Sequence, residues 1–339
     1  MNLPVGKLPS GLLRQFLQRI NEPAADVLLG SSIGEDAAVL DTGGCELLVA
    51  ASDPITFASG HLGRDLLAVN ENDLITMGAR PRWLLATVLL PEGVDAQTSQ
   101  QILDGLVDAA SVHDVALVGG HTEITPSVDR PLAIGCLLGT VPRDGVLCTS
   151  GAGIGDAIIL AGGLAIEGTA ILASEYSSAL VARGIDPEVV AAAVRLRDQP
   201  GISIRRSAEI LLEDRSSVHA LHDPTEGGLA TALYELAEAA QVGLSIDLAA
   251  VDIRAESAVV CNALGLDPLG LLASGALIAT MDPTSMRGAL NRLSEQGIPA
   301  ACIGHVVCQI SGQTVKSDGK VRPIPRFARD ELARFIESL

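Results

Sequence analysis

Apolar residues recur every three or four positions at Leu66, Leu67, Val69, Leu74, Ile75 and Met77, while Asn70, Asn72 and Asp73 fall on another side. That spacing predicts a helix over residues 63–77, stopped by Gly78 and Pro81. The same period over residues 8–21, with Leu12, Leu13, Phe16, Leu17 and Ile20 on one stripe, predicts an amphipathic helix behind a flexible basic arm, Gly6 and Lys7. Short apolar runs at 37–40, 47–51, 83–90, 115–118 and 132–141 read as strands, and residues 96–113 as a helix. The resulting order, β-β-α-β-α-β-β, suits an α/β fold of α+β layers better than a doubly wound parallel sheet.

Residues 146–155 are rich in Gly, Ser and Thr, and the pattern restarts after them with a strand at 156–161. The expected division is therefore 1–150 and 151–339, each part long enough for its own core. In the second part Glu167-Gly168-Thr169 opens an apolar helix through Leu172, further helices fit 187–196, 203–212 and 230–240, and strands fit 276–281 and 301–307.

Composition narrows the function classes. Hydrophobic residues make up 48% of the 339 and charged residues 19%, which excludes a mostly disordered chain. Aromatics are 2%, so base stacking is not the main binding device. A formal charge of -18, with no compensating Lys/Arg run, argues against a nucleic acid partner, although metal ions and backbone N–H groups can still receive the phosphates of ATP. The start lacks a basic segment followed by an apolar run, and the longest apolar stretches are too short to span a bilayer, so no membrane partner and a cytoplasmic location are expected. The six cysteines form no C-x-x-C pair and read as reduced, mostly buried thiols, with neither zinc nor disulfides.

Candidate chemistry lies where Asp residues sit beside small residues at the ends of apolar runs. Asp36, Asp53 and Asp73 are so placed and could share divalent cations, Mg²⁺ being held by few carboxylates plus substrate phosphates. Taken alone, Asp73 reads first as a solvated helix-face carboxylate, and it is the two other Asp residues so placed that turn the reading toward a cation. Gly119-Gly120-His121-Thr122-Glu123 reads as a turn between two strands, its glycines able to let backbone approach a phosphate and His121 or Glu123 able to touch a metal. Asp223-Pro224-Thr225-Glu226-Gly227-Gly228 leads into a helix N-terminus, a ready site for a phosphate oxygen. No residue stands out as a general base.

Gly34-Glu35-Asp36-Ala37-Ala38-Val39, Ser52-Asp53, Asn72-Asp73-Leu74 with Met77-Gly78-Ala79-Arg80-Pro81, Gly119-Gly120-His121-Thr122 and the Asp223–Leu229 stretch together resemble the aminoimidazole ribonucleotide synthetase (PurM-like) superfamily. They look most like its HypE-type hydrogenase expression/formation proteins. Thiamine monophosphate kinase and selenophosphate synthetase share the plan. The resemblance implies a two-domain subunit whose N-terminal sheets pair into a barrel across a homodimer, with a C-terminal α/β sandwich and ATP and Mg²⁺ as cofactors. It implies metal positions at Asp36, Asp53, Asp73 and Asp223, and nucleotide positions at Gly34, Asn72, Asp73, Gly119, Gly120, Thr122, Thr225, Gly227 and Gly228. The reaction implied is phosphorylation of an amide or phosphate oxygen on a small-molecule or protein-amide substrate. The alternatives are a small-molecule kinase and a nucleotide-binding partner in hydrogenase maturation. His121 stands where maturation factors carry Asp, and no cysteine follows Cys308, whereas HypE-type chains end in Pro-Arg-x-Cys.

Overall fold

A computed structural model describes residues 3, 5–20, 24–57, 61–317 and 319–338, and the chain falls into two compact units. One gathers Pro23–Ser31 and Asp36–Val146. The other takes the start of the chain with helix α1 (Ser10–Leu17), Ser32–Glu35, and everything from Leu147 onward.

The first unit is built on a sheet of β1 (Val27–Leu29), β2 (Ala38–Leu40), β3 (Glu46–Ala51), β4 (Pro54–Ile55), β5 (Arg80–Pro91), β6 (Ala116–Thr125) and β7 (Leu132–Pro142). Its order is β1-β2-β3-β7-β5-β6, with β4 also on β7. Every pair is antiparallel except β5 with β6, and a parallel pair needs a crossover, which α3 (Ala96–Val112) supplies. Between β4 and β5 runs α2 (Leu62–Thr76), close to the expected bounds.

α2 is buried almost all round, its apolar side by Leu66, Leu67 and Leu74 and its polar side too, with Asp65, Asn70, Glu71, Asn72 and Thr76 all at 1% exposure or less. Glycines make this possible. A Cβ on Gly63 would strike the backbone of Leu106 in α3, and one on Gly135 of β7 would lie 2.6 Å from the Asn70 amide.

The second unit carries β8 (Ala157–Ala161), β9 (Val218–His222), β10 (Gly243–Asp247), β11 (Leu277–Met281), β12 (Ala300–Val307), β13 (Gln313–Ser317) and β14 (Lys320–Pro323), ordered β14-β13-β10-β12-β8-β11-β9. β8 and β11 are buried at every position, so they read as unbroken apolar runs rather than alternating ones. Around this sheet lie α4 (Ile166–Glu175), α5 (Ser177–Ala182), α6 (Pro187–Arg195), α7 (Arg205–Leu212), α8 (Gly228–Ala240), α9 (Ala255–Leu264), α10 (Met286–Glu295) and α11 (Glu331–Glu337).

α1 is shorter than the expected 8–21, of which residue 21 lies outside the described residues, and it belongs to this second unit. Arg14 pairs with Glu238 of α8 at 2.7 Å. The arm before it is fastened rather than loose. The Val5 N–H donates to Glu337 at 2.7 Å and the Lys7 N–H to Glu226 at 2.5 Å.

Candidate functional site

In the first unit the register pairs Ala38 with Ala50, which carries Asp36 and the Ser52-Asp53 pair to the same end of the β2/β3 hairpin. Asn70 draws α2 to that end. Its side-chain oxygen accepts from the Asp53 N–H at 3.0 Å, and its amide donates to the Asp53 carbonyl at 3.2 Å. Asp73 follows one turn later and is only 6% exposed, so it is not a solvated helix-face carboxylate. Asn72 is fully buried beside it, while Glu71 is taken up by His113 at 2.9 Å. Among the described residues, no three His, Cys, Asp or Glu side chains stand close enough to hold a metal ion. Asp36 and Asp53 reach one end of the hairpin and Asp73 lies a turn further along α2, without forming a closed ligand set.

The expected turn at Gly119–Glu123 is strand. β6 runs through it, paired in parallel with β5, and a register shift between Leu84 and Leu85 absorbs one residue there. The pattern hid this because two glycines and three polar residues carry no alternation. Gly120 is needed for its backbone, with φ +143° and a Cβ that would collide with the Ala86 carbonyl. Thr122 lies further along the same edge strand, and His121 pairs with Glu123 at 3.1 Å on the exposed surface.

In the second unit β9 ends at His222 and delivers Asp223, 3% exposed, to the turn before α8. Both amides that the glycine pair offered to a phosphate are engaged here. The Gly227 N–H donates to Asp330 at 2.6 Å and the Gly228 N–H to the Thr225 carbonyl at 3.0 Å. Burial pushes Asp330 up to about 7 despite the N–H groups of Gly227 and Leu332 that donate to it. The Thr225 hydroxyl accepts from Lys7 Nζ at 3.4 Å, which also lies 3.6 Å from Glu235. Burial would raise Glu235, but Lys7 and His222 outweigh it and hold the carboxyl down to about 2.

Gly34 has a packing task as well, because at φ +84° a Cβ would lie 2.5 Å from the Glu235 carbonyl of α8. Glu35 accepts the N–H groups of Thr149 and Ser150 at 2.9 and 3.0 Å.

Sequence reasoning passed over Glu167. It sits in the first turn of α4 at 6% exposure, where burial, opposed by hydrogen bonds from Ser274, pushes its carboxyl up to about 7. The available signal was a lone acid inside an apolar run just after Gly162-Gly163. The cysteines also differ from expectation. All six are free, but Cys45 and Cys308 are exposed and Cys261 alone of the six is fully buried.

Two family models match in order, the N-terminal domain of AIR synthase related protein over residues 34–141 and its C-terminal domain over 153–313. A hydrogenase expression/formation protein of Methanocaldococcus jannaschii is 28% identical over 92% of this chain and 91% of its own. The carbamoyl dehydratase HypE of Azotobacter vinelandii is 30% identical over 75% of this chain and 72% of its own. The crystal structure of the hydrogenase maturation protein HypE in complex with ATP superimposes with a TM-score of 0.71 and 27% identity, covering 98% of both chains. The two-unit α/β architecture is that of the PurM-like superfamily. Within it, the chain belongs to the AIR synthase related family that includes the HypE proteins.

Proposed function

We propose that the chain is an ATP-dependent enzyme that transfers a phosphoryl group to an amide or phosphate oxygen of a small-molecule or protein-amide substrate. The observation that carries this reading is the end-to-end likeness to HypE in complex with ATP, 27% identical over 98% of both chains. The donor set fits the cation. Asp36, Asp53 and Asp73 offer hard carboxylate oxygens with the Asn72 amide beside them, and Mg²⁺ needs few protein ligands once phosphates and water complete its shell. The cation would neutralise phosphate charge at those residues. Asp223 is a fourth metal position on this reading, and Gly119, Gly120 and Thr122 belong to the nucleotide side, as do Gly34, Thr225, Gly227 and Gly228, with the amides of the last two freed from Asp330 and the Thr225 carbonyl on binding. The division near residue 150, with nucleotide binding and dimerisation in the first part, is part of the same proposal.

A homodimer is part of the same proposal and is supported by β6. It is an edge strand exposed from Ala116 through Ile124, with Leu117, Val118 and Ile124 at 40, 55 and 62% exposure, and a second copy supplies the apolar partner.

Asp73→Asn tests the site. Calorimetry with Mg-ATP should give at least a tenfold weaker affinity at unchanged thermal stability, and equal affinity in both proteins would remove Asp73 from it. A second reading, a nucleotide-binding partner in hydrogenase maturation, is favoured by the name of the Methanocaldococcus relative. Tight Mg-ATP binding with no ADP formed against any acceptor would select it.

A further inference from the structure

The segment after β8 turns into α4 with Gly162 at φ +80° and Ala165 at φ +61°. Gly162 lies against the Gly275 carbonyl, and the Gly168 N–H donates to the Leu272 carbonyl at 3.0 Å. At the start of α8, Gly228 lies against the carbonyls of Leu269 and Leu271. The register rows Leu160 with Ile278 and Ile278 with His222 make β8 and β9 finish at the same end of the sheet. The starts of α4 and α8 therefore converge on one stretch, 269–275, at that end.

Glu167 is held there by Ser274, yet its Oε2 is buried and has no hydrogen-bond partner among the described residues. The stem of Arg254 crosses Gly163 on the same turn, 3.0 Å from where a Cβ would stand, and Arg254 Nε is likewise buried and unpartnered. Leaving a buried carboxylate oxygen and a buried guanidinium N–H unmade costs stability, which a ligand with oxygens of its own would recover.

We propose that Glu167 takes the proton of the attacking group of an amide or hydroxyl acceptor, while the Arg254 guanidinium donates to another oxygen of that acceptor. The acceptor's O–H or amide N–H bond breaks, a P–O bond forms between its oxygen and the γ-phosphorus, and the bond from that phosphorus to the β,γ-bridging oxygen breaks. ADP leaves with that electron pair, and the proton rests on Glu167 until it returns to solvent. A carboxyl that burial has moved to about 7 is matched to this work at neutral pH. The assignment presupposes the Mg-ATP turnover proposed above.

The test is ADP release from Mg-ATP with water as acceptor, followed from pH 5.5 to 8.5. The parent's rate should rise with a midpoint near 7, and Glu167→Gln should lose at least tenfold and go flat while its calorimetric Mg-ATP affinity stays within about twofold. Ser274→Ala should move the midpoint upward, because the lost hydrogen bond favours the ionised carboxyl, and this variant decides the matter if Glu167→Gln does not fold. A Glu167→Gln protein that keeps the rate and midpoint overturns the role. So does a parent that binds Mg-ATP and releases no ADP, and so does a rate loss matched by lost affinity. A parent that binds no Mg-ATP overturns the phosphoryl-transfer reading itself.

Discussion

Lys7 Nζ lies 3.6 Å from Glu235 Oε1, and His222 meets the other oxygen of the same carboxylate at 3.4 Å. One buried-edge carboxylate thus ties the start of the chain to the last residue of β9 and to the middle of α8. What the sequence presented as a loose basic arm is a strap over the Asp223–Gly228 turn.

Lys7→Met should weaken that strap in a pH-dependent way. Burial acts to raise Glu235, but Lys7 and His222 bring it from 4.5 to about 2, so its stabilisation is present above about pH 4.5 and is lost as pH falls toward 2. Lys7 is half exposed, which limits the effect to about 0.5–1 kcal/mol at pH 7. Urea unfolding of both proteins at pH 7 and near pH 2 should show a gap at the first and none at the second.

Glu167 has the opposite sign. Its folded value, about 7, lies above the ordinary 4.5, so its contribution is complete below pH 4.5 and is lost as pH rises through 7. Replacing it by Gln should flatten the fall in stability between pH 4.5 and 7 by about 1–3 kcal/mol, measured as the difference between the two proteins so that the charge of -18 common to both cancels to within one unit. Parallel stability curves would mean that this carboxyl stays ionised in the folded chain.

The helices and strands that frame the site were legible because their period was intact, α2 and β7 to within a residue or so of the expected ends. β6 was cut short at Val118 because Gly119-Gly120 looked like punctuation, when the glycine is there to clear the Ala86 carbonyl. The same ambiguity affected Gly34 and Gly227, whose backbones serve α8 and Asp330. Asp73 was legible as an acid on a helix, but its burial was not, since α3 and β7 pack against α2, at Gly63 and Asn70, only in the folded chain. Glu167 was overlooked because only the folded chain brings the 271–275 stretch to it.

Asn70→Ala should separate Asp53 from α2. Both side-chain groups of Asn70 bond the Asp53 backbone, and the amide also donates to the Leu66 carbonyl at 2.8 Å, so truncation leaves buried backbone groups unmade. A loss of about 2–4 kcal/mol in urea unfolding is expected, with weaker Mg-ATP binding because the Asp53 carboxylate loses its anchor. Unchanged stability would place that pair of bonds in exchange with water.

The thiols should react in a set order. Cys45 and Cys308 are exposed, whereas Cys261 is buried and burial, helped by Asp267 and Glu331, pushes its thiol up to about 12. Alkylation at pH 8 followed by peptide mass spectrometry should label Cys45 and Cys308 at least tenfold faster than Cys261, since the thiolate is the nucleophile. Equal labelling in the folded protein would show that α9 opens on the time scale of the reaction.

Ile124→Lys tests the second copy at β6. A ten-residue edge strand with Leu117, Val118 and Ile124 open to solvent on an otherwise acidic chain invites pairing, and a charge at its most exposed apolar position is the device that blocks such pairing in other sheets. Light scattering at micromolar concentration should give about twice 34.9 kDa for the parent and a concentration-dependent shift toward the single-chain mass for the variant. Because β6 is paired with β5 along its inner edge and Ile124 buries little of itself in the unit, the variant should keep the parent's thermal stability once the dimer contribution is subtracted. A parent that runs as a monomer at those concentrations would leave β6 to another partner and withdraw the homodimer.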